Sequence, residues 1–283
     1  MKPTMLAVAV AACVVPLCAQ PTGPPPVLQI VREVVKEGKG AAHRKVEHDW
    51  ASTFRKNKFP FNYLALTTVS GPGEVWFVEP YASFAAIEES DKLTDKQPLK
   101  GEIEPIEGRD GELRTSSRTM TAVLRKELSY IPENGIALPK TRYVTIGSLR
   151  VRLGHDEDFM AGGKMILDAY RKAKIDATVF AYQVIAGAPD GLYLFIAPMA
   201  SLSEMDKEPE RGKAMVQAMG EENFKRLMKG TGDVFQTMEN TIFAVSPEMS
   251  YVSKETEDAD PAFWRPKASA AAPAAKAKEK AGQ

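Results

Sequence analysis

The sequence has few cysteines, few histidines and no long apolar run inside the chain. Its 283 residues include two cysteines, Cys13 and Cys18, and both precede residue 20. A chain cleaved after Ala19 would contain none, which excludes disulfides, thiol catalysis and cysteine metal sites together. No internal apolar segment approaches the roughly 20 residues that cross a bilayer, so a membrane span is not expected.

The three histidines do not form a metal-binding pattern. His43 and His48 are five residues apart, whereas two ligands on one helix face are about four apart. The third, His155, lies alone in the second half of the chain. The sequence therefore predicts no metal site. The motifs of serine hydrolases, zinc proteases and P-loop enzymes are also absent.

The charges balance, with 37 basic and 37 acidic residues. Nucleic-acid binding needs a concentrated basic face, so no nucleic-acid partner is expected. The hydrophobic fraction of 44% is ordinary for a globular protein. At about 150 residues per domain, the length indicates roughly two domains.

The first twenty residues are typical of a secretory signal peptide. Lys2 is followed by an apolar run over residues 6–17 and by a cleavage point near Ala19. We therefore predict that residues 1–19 are a signal peptide and that the protein is secreted or periplasmic. A lipidated Cys18 is the alternative, although the residue before it is not small.

The two ends of the remaining chain differ in composition from its centre. Residues 20–26 are proline-rich and predict a stiff spacer. Residues 253–283 form a C-terminal segment that becomes rich in alanine, lysine and proline and is predicted to be disordered from about residue 267. Phe263 and Trp264 are too apolar for a free tail, so we expect them to dock on the domain or on a partner.

An internal repeat divides the centre of the chain. The stretch GEVWFVEPYASF from Gly73 resembles GLYLFIAPMASL from Gly191, at an offset of 118 residues. Upstream of these, FRKNK in the first half resembles YRKAK in the second. Several matches in the same order indicate a duplicated unit. We predict two units, over residues 27–138 and 139–252.

Periodicity gives both units the same order of elements. VLQIVREVV and RYVTIGSLRVRL are rich in β-branched residues and predict strands, each followed by a glycine turn and a helix. A hairpin and a helical segment come next, and the spacing of Leu113, Met120 and Leu128 predicts that this helix reaches residue 128. A last short strand is expected to close each unit.

The order β-α-β-β-α, with a closing β, is the ferredoxin-like pattern. One such sheet leaves an apolar face that a second sheet must cover. We therefore predict an α+β fold of two tandem ferredoxin-like units, whose antiparallel sheets pack as an internal pseudo-dimer, a pseudo-dimeric α/β barrel.

A strand ending near RLGHDEDF, followed by a helix and an aromatic hairpin, resembles the dimeric α/β-barrel superfamily. The resemblance includes its antibiotic-biosynthesis monooxygenase-like and NIPSNAP-like families, and it extends from about Val27 to Val252, once per unit. It implies a fold that serves cofactor-free oxygenases, haem-binding enzymes and isomerases. No catalytic motif carries over, so whether the chain is an enzyme stays open, with haem as one implied cofactor.

The candidate site residues are one histidine and several strand aromatics. His43, on the apolar face of the first helix, is either a core-edge histidine or a haem ligand or general base in a cavity. The acidic residues are scattered, as on a solvated face. The aromatics either pack the core or line a cavity and orient a planar ligand: Tyr63, Trp76, Tyr182 and Tyr193, with Tyr81 beside them.

Two functions follow. The first is a secreted protein that binds a small apolar or planar ligand in a cavity between sheet and helices, or that is structural. The alternative is a monooxygenase-like or haem-handling enzyme that uses the barrel cavity. A scarcity of titratable residues at the expected cavity-facing positions favours the first.

Overall fold

The computed structural model describes residues 23–133 and 135–265. The predicted signal peptide and the alanine-rich tail lie outside these residues. The strands are β1 (Val27–Val35), β2 (Leu64–Ser70), β3 (Glu74–Tyr81), β4 (Arg114–Leu124), β5 (Tyr143–Val151), β6 (Phe180–Ala186), β7 (Leu192–Met199) and β8 (Phe235–Val245). The helices are α1 (Gly40–Lys56), α2 (Phe84–Thr94), α3 (Leu99–Gly111), α4 (Asp156–Ala173), α5 (Glu208–Met219), α6 (Glu221–Val234), α7 (Lys254–Ala259) and α8 (Pro261–Trp264).

The eight described strands close into one antiparallel barrel in the order β1-β3-β2-β8-β5-β7-β6-β4. The first half of the chain contributes β4-β1-β3-β2 and the second half β8-β5-β7-β6. The two halves join where β2 pairs with β8 and where β4 pairs with β6. The predictions of an α+β fold and of a barrel are confirmed. No helix in the described residues is both long and apolar enough to cross a bilayer.

The predicted helix through residues 113–128 is wrong. The chain there is β4, followed by a short 3₁₀ turn over Lys126–Leu128. Met120 and Ala122 point into the barrel, while the threonines between and around them point away. The apolar residues also fall at helical spacing by coincidence, and pairing with β1 and β6 decides the structure.

Apolar side chains fill the barrel and form separate clusters outside it. Inside, Phe243, Ile30 and Leu194 are at most 1% exposed. Outside, α1 packs on the first half of the sheet through Phe54, and α4 packs on the second half through Phe159. The sheet therefore packs on both faces, against the barrel interior on one side and against helices on the other, although the starts of β4 and β8 are exposed.

The C-terminal segment docks on the barrel, as predicted for Phe263 and Trp264. Trp264 is 3% exposed and packs with the barrel interior, and its indole N–H donates to the carbonyl of Pro139 at 3.1 Å. The guanidinium of Arg142 lies 3.8 Å from the Phe263 ring centroid and pairs with Asp260. These contacts bury the pair against its own chain.

Candidate functional site

One end of the barrel interior is open, and there the inward side chains change from apolar to charged. They enclose a cavity of about 220 Å³, here called the barrel mouth. Its lining includes three arginines, two glutamates and a tryptophan: Arg32, Arg118, Arg150, Glu74, Glu239 and Trp76. The expectation that few titratable groups face the cavity is wrong.

Strand alternation puts these side chains in one layer. Residues two apart share a face of a strand, so Arg32 continues the inward row of Ile30 on β1. Arg118 continues the row of Met120 on β4 in the same way. Arg32 lies between Trp76 of β3 and Arg118 of β4 in the sheet register. The layer is therefore one ring around the open end.

The glutamate Glu74 holds two of the lining residues in place. Arg32 donates to it from Nε at 3.1 Å and from Nη2 at 2.9 Å, and the Trp76 indole N–H donates to it at 2.7 Å. The Arg32 guanidinium also lies 4.5 Å from the Trp76 ring centroid. This side of the barrel mouth is pre-organised.

The other charged residues of the barrel mouth are less restrained: Arg118 lies beside Arg32 on β4, and Arg150 and Glu239 lie across the barrel on β5 and β8. Arg150 donates from Nε to the carbonyl of Asp190 at 3.2 Å. Within the residues that the structure describes, Arg118 and Glu239 have no side-chain hydrogen bond or ion pair. These groups are the ones available to a ligand.

The structure does not bring the four predicted aromatics together. Trp76 and Tyr182 point into the barrel, and Trp76 lines its mouth. The Tyr182 hydroxyl donates to the carbonyl of Pro25 at 2.9 Å. Tyr63 and Tyr193 point outward and pack under the helices. Strand parity separates the two pairs, which the sequence-based prediction did not resolve.

Tyr81 also points outward, and its hydroxyl donates to Glu79 at 3.0 Å. Burial raises the pKa of Glu79 to about 7, against an ordinary value near 4.3. The folded protein therefore binds a proton that the unfolded chain has lost above about pH 4.5, and stability falls as pH rises from there to beyond 7.

We expect Glu79→Gln to remove this dependence. Chemical denaturation should show the variant more stable than wild type by about 3 kcal/mol at pH 8 and by about 1 kcal/mol or less at pH 5. The control is Glu88→Gln, an exposed carboxylate on α2. An equal gain at both pH values would contradict the assignment.

A second polar site lies outside the barrel, between the sheet and the first pair of helices. Glu33 points outward from β1, His43 and Glu47 lie one turn apart on α1, and Asp110 lies near the end of α3. All are at most 5% exposed. We call these four residues the buried cluster.

The buried cluster converges on one imidazole nitrogen. His43 Nε2 lies 2.9 Å from a Glu33 oxygen, 3.4 Å from Asp110 Oδ1 and 3.8 Å from Glu47 Oε1. The imidazole and the Glu33 carboxylate are hydrogen-bonded. Asp110 Oδ1 has no hydrogen-bond partner in the described residues.

Arg114 closes the buried cluster from β4. Its guanidinium donates to Glu33 Oε1 and lies 2.7 Å from Asp110 Oδ2. A register shift between Val34 and Val35 makes this contact, because Val34 faces Ser116 whereas Val35 faces Arg114. The extra residue turns Arg114 from the inner face of the strand to the outer one.

The electrostatics of the buried cluster follow from three carboxylates facing one arginine. Burial, followed by the Asp110 and Glu33 carboxylates, raises the pKa of Glu47 to about 9. Burial and Glu33 also raise the pKa of Asp110. At neutral pH Glu47 therefore holds a proton unless another cation replaces it.

The sequence reasoning identified only His43 in this site. It treated the acidic residues as solvated, which is wrong for Glu33, Glu47 and Asp110. Of the two interpretations of His43, a core-edge histidine or a ligand or base in a cavity, the structure shows a buried side chain enclosed by carboxylates. The available signal was the spacing of His43 and Glu47, four residues apart on the buried face of one helix.

The buried cluster does not suit haem. An axial histidine needs its free nitrogen to face a space large enough for the ring. Nε2 of His43 instead faces Glu33, Asp110 and Glu47 within 3.8 Å. Neither cavity described in this structure is lined by His43. His43 therefore does not fit the haem-ligand role.

Comparisons with known proteins identify the fold. No protein-family model and no curated protein match the chain. It is similar in structure to an anthrone oxidase-like protein, with a TM-score of 0.53, 13% identity, and 81% of this chain and 95% of that chain covered. A candidate monooxygenase from Fusobacterium nucleatum subsp. nucleatum gives 0.51 at 12% identity, covering 78% of this chain and 93% of that one.

A mutant chlorite dismutase from Candidatus Nitrospira defluvii gives a TM-score of 0.51 at 10% identity, covering 80% of this chain and 94% of that one. The chain shares the α/β-barrel fold of these solved structures. Sequence identities this low show a shared fold only, so the function depends on the chemistry of the site itself.

Proposed function

We propose that the protein binds a small organic anion with a planar or apolar body in the barrel mouth. The observation that carries this is that Arg118, beside Arg32 on β4, and Arg150, across the barrel on β5, both line the cavity without a carboxylate partner in the described residues. The cavity lies inside the barrel, whereas the sequence predicted one between sheet and helices.

The charges of the barrel mouth favour a carboxylate. Three arginines face two glutamates, and Glu74 already neutralises Arg32. A guanidinium binds a carboxylate through two parallel hydrogen bonds, which gives both charge and orientation. Met120 and Leu192 in the same lining supply apolar surface for the rest of the ligand.

The size of the cavity limits the ligand. About 220 Å³ is below the roughly 300–1,000 Å³ of pockets that take drug-sized molecules. A monocyclic or short-chain acid fits this volume.

The test is calorimetric titration with benzoate and phenylacetate, and with their neutral amides. We expect the acids to bind and the amides to bind at least tenfold more weakly, because one charged hydrogen-bonded pair is worth about 1.5–3 kcal/mol. Arg118→Gln and Arg150→Gln should each weaken acid binding at least tenfold.

The matched control is Arg152→Gln, two residues from Arg150 and absent from the barrel-mouth lining. It should leave the affinity unchanged. Equal binding of acids and amides, or no binding of either acid at millimolar concentration, would show that the barrel mouth is not an anion site.

The second candidate is an oxygenase of the monooxygenase type in the same cavity. It is favoured by Glu239, a lining carboxylate of the kind that acts as a general base toward an O–H or C–H group of a bound organic anion. Oxygen consumption in the presence of a bound acid tests it. Glu239→Gln should still bind the acid but should no longer consume oxygen. If the wild type consumes no oxygen, the oxygenase candidate is wrong and the binding function stands by itself.

The N-terminal pattern supports export as part of this proposal. The basic residue, apolar run and cleavage point near Ala19 favour a secreted or periplasmic protein that meets its ligand outside the cytoplasm. Mass spectrometry of the N-terminus of protein made in its native cell tests this. A mature chain that still begins at Met1 would contradict it.

The repeat supports a tandem duplication of ferredoxin-like units. The supporting observations are the shared strand order of the two halves and the offset of 118 residues between matching stretches. Superposition of β1-α1-β2-β3 on β5-α4-β6-β7 tests it, and a failure of these elements to align would contradict it.

A further inference from the structure

We propose that the buried cluster is a binding site for one divalent transition-metal ion, held by Glu33, His43, Glu47 and Asp110. The site lies on the opposite side of the sheet from the barrel mouth. It is therefore independent of the proposed ligand and of its test.

The first argument is the spacing of the four candidate ligand atoms. One atom from each residue can be chosen so that all lie within 4.8 Å of one another. A tetrahedral ion with bonds of about 2.0–2.2 Å separates its ligands by about 3.3–3.6 Å. The distances from His43 Nε2, which are 2.9, 3.4 and 3.8 Å, lie on both sides of that value.

The second argument is the division of labour within the carboxylates. The Arg114 guanidinium contacts Glu33 Oε1 and Asp110 Oδ2. The other oxygen of each carboxylate therefore faces His43. An outer partner that holds one oxygen and leaves the other for the ion is how proteins orient metal ligands. Arg114 occupies this outer position and does not fill the centre.

The third argument is an unsatisfied atom aimed at the centre. Asp110 is 3% exposed, and its Oδ1 has no hydrogen-bond partner in the described residues. The buried Tyr63 hydroxyl also has no partner in the described residues. Its pKa is raised chiefly by burial and next by the Glu47 carboxylate, so the two groups lie near each other. Buried polar atoms are rarely left unpaired, and each such atom requires an explanation.

The ligand set selects the kind of ion. One imidazole and three carboxylates suit Zn²⁺, Mn²⁺ or Fe²⁺, and no cysteine sulfur is present to favour softer ions. His43 would carry its remaining proton on Nδ1 and present Nε2 to the ion. The enclosed position, away from either described cavity, assigns the ion a structural role.

The competing occupant is a proton shared between Glu47 and Asp110. It would satisfy Asp110 Oδ1 without any ion. Glu47→Gln separates the two, because the glutamine amide donates to Asp110 as a protonated Glu47 does but is a poor ligand. We therefore expect this variant to fold and to lose the ion.

The experiment uses the full chain, stripped with a chelator and refolded with Zn²⁺ or Mn²⁺ because the site is enclosed. After removal of free ion, elemental analysis should find one ion per wild-type chain. Glu47→Gln should bind at least tenfold more weakly. The Tm of the wild type should rise by several degrees on loading, and that of Glu47→Gln should not.

The control is His155→Gln, which changes an exposed histidine paired with Asp158. It should bind one ion like the wild type. If wild type refolded with either ion retains none, or if Glu47→Gln retains as much as wild type, the cluster holds only a proton and the proposal is wrong. His43→Asn repeats the comparison if Glu47→Gln does not fold.

Discussion

Gly187→Ala should destabilise the protein by more than about 4 kcal/mol and leave little soluble chain, an effect beyond the usual range for single substitutions. Gly187 follows β6 at the seam where this strand meets β4 and closes the barrel. A Cβ at this position would lie 2.0 Å from the carbonyl oxygen of Thr119 and 2.9 Å from Cα of Met120.

The size of this effect comes from what the new atom meets. Both contacts are backbone atoms of a paired strand, so no side chain can rotate away. Relief requires β4 and β6 to separate, which breaks the seam and opens the interior around Met120. The φ angle of 81° adds its own strain, because an L-residue in the left-handed region costs about 1–2 kcal/mol.

Two other glycines separate these contributions in urea denaturation. Gly154 has φ of 86° with nothing near its added Cβ, so Gly154→Ala should cost only the backbone strain of about 1–2 kcal/mol. Gly73 lies in the first hairpin with open space and no positive φ, so Gly73→Ala should change stability by less than about 1 kcal/mol. Equal losses at Gly187 and Gly154 would show that the seam has room to adjust.

Arg114→Leu is expected to cost about 3–5 kcal/mol, because it leaves buried carboxylates without their cation. Arg114 lies between Glu33 and Asp110, which are both at most 4% exposed in their side chains. Leucine keeps apolar bulk, so the loss reports the charge more than the packing. The cost should appear as a lower midpoint with an unchanged denaturant slope.

The matched control is Arg109→Leu, on the same helix end as Asp110. Arg109 pairs with Asp49 at 2.9 Å, but the two side chains are 50% and 35% exposed. Such a surface pair contributes less than about 1 kcal/mol. If both variants lose the same small amount, the buried cluster does not depend on Arg114.

Local patterns in the sequence were sufficient for the strands β1–β3 and β5–β7 and for the two hairpins. Runs of β-branched residues mark β1 and β5, and the short glycine turns mark the hairpins that follow. Amphipathic spacing through Phe54 and Phe159 marks the helices that cover the sheet. These signals are local, since each depends on neighbours within a few residues.

The strand β4 could not be predicted from local sequence patterns. Its apolar residues satisfy both a helical and a strand spacing, and only pairing with β1 and β6 on its two sides decides between them. The same limit applies to the aromatics. Trp76 lies on β3 and Tyr63 lies directly before β2, yet Trp76 points into the barrel and Tyr63 packs under the helices.

Both candidate sites depend on contacts that no local pattern contains. Glu33 and Arg114 are 81 residues apart in the chain, and a one-residue register shift beside Val35 puts them on the same face. Strand closure brings Arg32 and Arg118 to one end of the barrel, opposite Glu239. The sequence identifies the residue types in each site. The face of the sheet on which each side chain lies depends on strand register and barrel closure, because a shift of one residue moves every following side chain to the other face.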